Sequence, residues 1–473
     1  MRQNRSPWLH QLDHDRENHK LTADIKTDVA IVGAGIAGVA TAFFALKYTE
    51  KKVVMLEKYK LAHGATGHNA GQVVSYFEIG FSGLVEQFGL ELAAKGQTAV
   101  EAAWQLLEEM YTEAGVDIPF SRFLIQNGLV SETQLLRDLE HNYLRREAGL
   151  HPEHIAVATN APYIDRIPEK YAGLWRAVPH RHVLEMLETH NPKYWAVLSE
   201  QGGAINSALF CERVVRYLQK QYPNRFALYE HAPVHKIILH KDTALLDVEK
   251  HTVLAKRVIL CTNGFSNLHI INENGLEVDA KYHASLHSYI AYMSGYLEPL
   301  DKPPGAFCYF NEGDETPAAN YIYVTRRPYE YEKGVPHNLI CIGGPERPLE
   351  EQGIYAREHP FPQEALEEIH RFVEEVYQRE DSTEYIFTWH GLMGYTNNRV
   401  RMVGPEPQNP VLLYNLGCNG VGILPSVMGG RKISRHLAGE HVPKSIFDIP
   451  KRVIPRMEFE APKKRRAAKE KAI

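Results

Sequence analysis

The sequence predicts an α/β fold class in which a Rossmann-like dinucleotide-binding domain is interleaved with an antiparallel-sheet α+β domain. Three observations predict it. A βαβ pattern opens near Asp28, apolar strands return at Arg257–Thr262 and Val411–Leu416, and aromatic-rich strand segments fill Ser285–Ile342 between them. A chain of 473 residues is too long for one simple core, which agrees with two units.

The βαβ unit comes first. Asp28-Val-Ala-Ile-Val32 reads as a buried strand, Ile36 to Tyr48 as a helix, and Lys52-Val-Val-Met-Leu-Glu57 as the next strand. A Gly-rich loop follows from Ala62 to Gln72. Helical periodicity then covers Gly96–Gly115, Ser131–Glu147 and Leu209–Gln221. Strands are expected at Phe226–Tyr229, Val234–Leu239, Ala244–Val248 and Arg257–Thr262, the last as a buried strand of the first sheet. Gln363 to Arg379 reads as an amphipathic helix, with Leu366, Ile369, Phe372, Val373 and Val376 on its buried side. The strand Val411–Leu416 runs through a Gly-rich turn into a helix ending near Leu437.

These elements divide the chain into a dinucleotide domain (20–95, 200–270 and 385–445), a substrate domain (96–199 and 271–384) and a C-terminal extension (446–473). The basic run Lys463–Lys471 ends the extension and reads as a solvated tail.

Composition excludes several classes. With 53 basic and 58 acidic side chains the net charge is -5, so no nucleic-acid partner is expected. The polar first twenty residues carry no apolar signal segment, and no apolar run is long enough to span a bilayer. Cys211, Cys261, Cys308, Cys341 and Cys418 are scattered and form no C-x-x-C pair. A zinc site and a disulfide framework are therefore not expected, and a reducing cytoplasm is.

Gly33-Ala-Gly35-Ile-Ala-Gly38 is G-x-G-x-x-G between strand and helix. Gly33 permits the tight turn, Gly35 lets a pyrophosphate approach the helix start, and Gly38 lets helix and strand pack closely. Glu57 closes the second strand, where a carboxylate meets a ribose diol.

The next loop resembles a known family. Gly64-Ala-Thr66-Gly-His68-Asn69-Ala-Gly71-Gln72 is similar to the G-x-[ST]-G-R-N-x-G-Q loop of the D-amino-acid oxidase (DAO) superfamily, which includes glycine, sarcosine and gamma-glutamylputrescine oxidases. Trp389-His-Gly391-Leu-Met-Gly-Tyr-Thr396 resembles its W-x-G-x(4)-T segment, and Leu413 through Gly417-Cys-Asn-Gly420-Val-Gly422-Ile423 its last Gly-rich turn. The resemblance covers most of residues 25 to 440 and implies FAD as cofactor. The FAD contacts it implies are Gly33, Gly35, Ile36, Ala37, Gly38, Glu57, Lys58, Gly64, Ala65, Thr66, His68, Asn69, Gly71, Gln72 and Gly391. Val234 and Thr262-Asn263-Gly264 would border the adenosine half, and Gly420, Gly422 and Ile423 the flavin's pyrimidine end. A helix beginning after Gly422 aims its free N–H groups at the edge that becomes anionic on reduction.

Two departures stand out. His68 occupies the usual Arg position, and relatives with His there bond it covalently to FAD. The reading adopted is a His hydrogen-bonded near a non-covalent cofactor. The T-x-D-x-x-P segment is here Thr396-Asn-Asn398-Arg-Val-Arg401, without the Asp and Pro.

On the substrate side, Tyr321-Ile-Tyr323-Val-Thr-Arg326-Arg327 is similar to the hairpin in which Tyr and Arg face the substrate. Arg326 is the expected carboxylate clamp, with Arg327 as alternative, beside Tyr323 and His68 as the other catalytic candidates. His287, Tyr289, Tyr292 and Tyr296 lie on the preceding strand, where alternation could bring some over the flavin. The expected reaction is hydride transfer from a C–H beside nitrogen of a small amine or amino acid to flavin N5, with O₂, a quinone or an electron carrier as acceptor. The alternatives are a flavin dehydrogenase of a 2-hydroxy acid or glycerol phosphate, and an RNA-modifying flavoenzyme, for which the basic tail is the only support.

Overall fold

Short apolar strands with no polar face need cover on both sides. Five of them make one parallel core, in the order Phe226–Tyr229, Val53–Leu56, Ile25–Val32, His251–Leu260, Leu412–Leu416. The computed structural model describes residues 4–311, 321–349, 354–377 and 384–457. The basic run 463–471 lies outside the described residues. The expected strand at 257–262 is longer at its start, because His251–Ala255 also pairs antiparallel with Ala244–Val248. Val234–Leu239 and His269–Asn272 extend that edge, and Met402–Pro405 pairs with Leu412–Leu416. Among the described residues this first sheet has nine strands.

Helices Ile36–Tyr48 and Ile423–Leu437 cover one face. They touch backbone to backbone: a Cβ on Gly430 would lie 2.7 Å from the Ala40 carbonyl carbon. Asn415 ties them by donating to Thr41 Oγ1 at 3.1 Å and to the Ser426 carbonyl at 3.0 Å.

The second sheet has ten strands among the described residues. Phe387–Thr396, Leu286–Glu298, Val335–Pro348, Tyr321–Glu332 and Gly305–Phe310 are neighbours in that order, all antiparallel. Ser121–Leu129, Ala196–Ala204, His154–Ala158 and Trp175–Val178 continue it, and Gln72–Val74 pairs with Ala196–Ala204. Strands 72–74 and 387–396 therefore hydrogen-bond into this sheet although their sequence neighbours hold the dinucleotide loops. The strand Ser121–Leu129 was not anticipated, because Arg122, Gln126 and Asn127 break its apolar alternation.

Two helices differ from expectation. The segment 96–115 belongs to two helices, Leu90–Glu101 and Ala103–Glu113, meeting at Ala102. Gln363–Phe372 passes into a π-turn at Val373–Tyr377; Gln378 and Arg379 lie outside the described residues. The polar N-terminus also packs: Trp8, on the short helix Pro7–His10, is fully buried against Gly71. No helix among the described residues is long and apolar enough to cross a membrane.

Candidate functional site

The parallel strands end together, and their C-terminal edge opens on one cavity of about 460 Å³. Gly33 follows the first strand with φ 102°, a conformation that favours glycine. A Cβ on Gly38 would collide with the Gly33 carbonyl, so turn and helix pack as closely as the motif requires. The Ile36 N–H donates to Thr66 Oγ1 at 2.9 Å, pinning the second Gly-rich loop over the helix start. The remaining N–H groups of that first turn have no intrahelical partner, which suits a pyrophosphate.

Glu57 is enclosed at the end of its strand. Its carboxylate accepts from the N–H groups of Ala34 at 2.8 Å and Tyr59 at 2.9 Å. Burial raises its pKa, against those two hydrogen bonds. Each oxygen keeps a lone pair for a ribose hydroxyl.

His68 lies deeper and is 5% exposed. Its Nδ1 is 2.9 Å from the Gly64 carbonyl, so Nδ1 carries the proton. Nε2 is left buried, with a lone pair and no partner. Burial pulls its pKa down to about 3, so the ring is neutral. An orphaned acceptor on the wall of a cofactor-sized cleft fits a hydroxyl or N–H of a bound FAD.

The far wall comes from the second sheet. Gly391, Ala291 and Glu346 are cross-strand neighbours, as are Met293, Gly343 and Tyr323, and Gly343 leaves room for the Tyr323 ring. Asn263 joins both sheets to the last Gly-rich turn by donating to the Leu392 carbonyl and accepting from the Cys418 N–H. Arg401 braces that turn from behind: Nε donates to Asn415 Oδ1 at 2.7 Å and Nη1 to the Gly417 carbonyl at 3.2 Å. Burial lowers its pKa to about 10.

All the expected FAD contacts line this cavity except Gly38 and Gly71, which act behind the lining as packing positions. Tyr323 also lines it; Arg326 does not. The Arg326 side chain turns away, where Nη1 and Nη2 donate to the two carboxylate oxygens of Glu188 and Nε to the Pro303 carbonyl. The carboxylate clamp expected at Arg326 is therefore corrected. Arg327, the alternative, is buried over the Trp8 ring, outside the cavity lining. His287, Tyr289, Tyr292 and Tyr296 are likewise outside it, because their strand presents Ala291 and Met293. Cys418 lines the cavity, with its thiol 3.7 Å from the Gly394 carbonyl.

Sequence reasoning missed Tyr76, Glu78 and Glu346, and in the substrate hairpin it singled out Tyr323 and not Tyr321; all four line the end of the cavity walled by the second sheet. Tyr321 donates to Glu78 Oε1 and Tyr395 to Glu346 Oε2, each at 3.2 Å. Glu78 is half-buried and Glu346 is exposed to the open cleft; desolvation by the cavity walls still pushes both carboxyls up to about 7, and for Glu78 the Glu346 charge adds to it. The signals in the sequence were Tyr321 two residues before Tyr323 in that hairpin and Glu78 six residues after Gln72. Away from the cavity, His269, Asp279 and His283 bring one ligand atom each within 4.8 Å of one another. Two of the three are exposed and the Asp279 carboxylate accepts from the Ile270 N–H, which reads as surface pairing.

Comparison with known proteins places this geometry. A curated relative, the probable oxidoreductase OrdL of Haemophilus influenzae, is 33% identical over 91 residues, spanning 19% of this chain and about a fifth (21%) of that protein's length. Glycine oxidase from Geobacillus kaustophilus superposes with a TM-score of 0.64 at 17% identity, over 92% of this chain and 100% of that one. L-α-glycerophosphate oxidase from Mycoplasma pneumoniae, solved with FAD bound, superposes with a TM-score of 0.59 at 14% identity, over 90% of this chain and 99% of that one. These two likenesses concern the fold. Residues 28–435 match the DAO family, described as FAD dependent oxidoreductase, and the chain belongs to that family.

Proposed function

We propose that this FAD-dependent oxidoreductase oxidises the C–N bond of a small amine or amino acid. The observation that carries the reading is the wall opposite the dinucleotide loops, where Tyr76, Tyr321 and Tyr323 enclose a space that also holds two carboxyls, Glu78 and Glu346. Bound FAD supplies a two-electron acceptor that takes hydride from the C–H beside nitrogen. That nitrogen must be neutral to release hydride. A carboxyl near its midpoint at neutral pH, as Glu346 is, can take the proton of a bound ammonium. Water then adds to the C=N product and releases a carbonyl compound and ammonia or an amine. O₂, a quinone or an electron carrier takes the two electrons away.

The residues that would hold FAD are those already placed in the cleft: the Gly33–Gly38 turn for the pyrophosphate, Glu57 for the ribose, and Gly420–Ile423 at the start of a helix for the flavin edge. The 2-hydroxy acid and glycerol phosphate alternatives are disfavoured by the same wall, because they would bring an anion with no ammonium to Glu78 and Glu346 and find Arg401 committed to backbone and Asn415. A reducing cytoplasm is the proposed setting, consistent with five unpaired cysteines.

The test is product stoichiometry. Turnover of an amine should yield one carbonyl compound per pair of electrons passed to the acceptor. A hydroxy acid consumed in place of every amine tried would overturn the reading.

A further inference from the structure

The cavity wall is acidic where a carboxylate clamp had been expected. Among the described lining residues the Lys and Arg side chains are Lys58 and Arg401. Lys58 follows Glu57 at the ribose end, and Arg401 spends its guanidinium on Asn415 and Gly417. Glu78 and Glu346 share the opposite end, close enough that the charge of Glu346 acts on Glu78. Arg399 acts on both from its place over the Tyr395 ring, so one shared cation faces two carboxyls. Tyrosine hydroxyls donate to them, Tyr321 to Glu78 and Tyr395 to Glu346.

A second, independent feature points into the same space. The Tyr323 side chain is half-buried, its hydroxyl lies over Gly343 and lines the cavity, and it has no hydrogen-bond partner among the described residues. A phenol so placed is left for a ligand, as donor or acceptor. Three tyrosine rings add faces on which an alkyl stem and an ammonium are both favourable.

The space also continues. Tyr76, Glu78 and Tyr321 line a second cavity of about 120 Å³, whose far wall carries Glu200. Burial, with Glu153 and Asp138 nearby, pushes the Glu200 carboxyl up to about 8. Arg145 pairs with Glu101 and Glu153, and Arg137 with Asp138, so these cations are shared with other carboxylates.

We propose that the substrate is an aliphatic amine with a second cationic group and no carboxylate near the reacting nitrogen. The reacting amine sits by Tyr323 and Glu346, and the distal ammonium is received by Glu78 at the mouth of the second cavity. This rests on the amine-oxidising reading and narrows it. Glu78 is then a specificity residue, because it discriminates by the far end of the chain and leaves the C–H chemistry to the other end.

The test uses the FAD-loaded full chain and three probes: diaminobutane, pentylamine, which replaces the distal ammonium by a methyl group, and α-aminobutyrate. Anaerobic flavin reduction is followed for wild type and for Glu78→Gln, which must retain its flavin band as evidence of folding. Diaminobutane should exceed pentylamine in kcat/KM by about tenfold or more, a charged hydrogen bond's worth, and Glu78→Gln should collapse that ratio chiefly through KM. Equal use of the two amines, preference for α-aminobutyrate, or a ratio unchanged in Glu78→Gln overturns the proposal while leaving amine oxidation standing. If no probe reduces the flavin, the amine reading fails for these probes, and the proposal is judged by binding. Diaminobutane should then still perturb the flavin spectrum more tightly than pentylamine, and equal or absent perturbation overturns it.

Discussion

Arg326 and Glu188 meet fork to fork, with Nη1–Oε2 at 2.6 Å and Nη2–Oε1 at 2.7 Å. The guanidinium is 1% exposed and the carboxylate 32% exposed. Removing Glu188 strands a buried cation that keeps the Pro303 carbonyl, the Tyr377 hydroxyl and the face of the Phe307 ring. Glu188→Ala should cost about 3 kcal/mol, at the lower end for a buried pair because Glu188 is part-exposed. Urea unfolding measures it. The KM of the folded enzyme should not move; a large rise in KM would return Arg326 to the substrate site.

Glu57 binds two backbone N–H groups and has lone pairs to spare. Glu57→Ala should weaken FAD binding roughly 10- to 100-fold, the loss of one or two charge-assisted hydrogen bonds. Titration of the apoprotein with FAD reads this directly.

The carboxyls of Glu78 and Glu346 are pushed up to about 7 by desolvation in the cleft and, for Glu78, by Glu346; Tyr321, Tyr395 and Arg399 oppose the rise. Above that pH they are charged and attract a cation. As pH falls through about 7 they take up protons and the attraction is lost. The kcat/KM of a cationic substrate should therefore fall on the acid side through a rise in KM, and Glu78→Gln should flatten that limb. The pH profile of each variant checks it.

His68 keeps a neutral ring and a free Nε2 lone pair, used here as a hydrogen-bond acceptor. Denatured protein should release its FAD, and a fluorescent flavin band on a denaturing gel would instead show a covalent link. His68→Ala should lower FAD retention.

What could be read from sequence was local. Gly33, Gly35, Gly38 and Glu57 were legible because one βαβ unit brings them together within a single turn and two strands. The Gly64–Gln72 loop was legible as a pattern, yet its anchor, the bond from Ile36 to Thr66, is not visible without the fold. Trp8 sat in a segment that read as polar, because its burial depends on Gly71 and Asn206 far along the chain. Arg326 was misplaced for a related reason: strand alternation tells which face a side chain takes, not what already occupies that face. Glu78 and Glu346 converge from a loop and a distant strand, and no spacing links them.

Lys281 and Glu406 show the same limit in the core. Lys281 Nζ donates to both carboxylate oxygens, at 2.7 and 3.0 Å, with the pair 7% and 1% exposed. Lys281→Met should destabilise by about 3–5 kcal/mol by stranding a buried carboxylate. Thermal or urea unfolding, with flavin bound, measures it.

The central claim is that this cleft uses FAD to oxidise an amine. The most direct measurement is the visible spectrum of the purified protein under anaerobic conditions as an amine is added. An oxidised-flavin band should bleach with the amine and return when an acceptor is admitted. A flavin band that amines leave unchanged while a hydroxy acid bleaches it would contradict the account, and so would a protein that takes up no FAD.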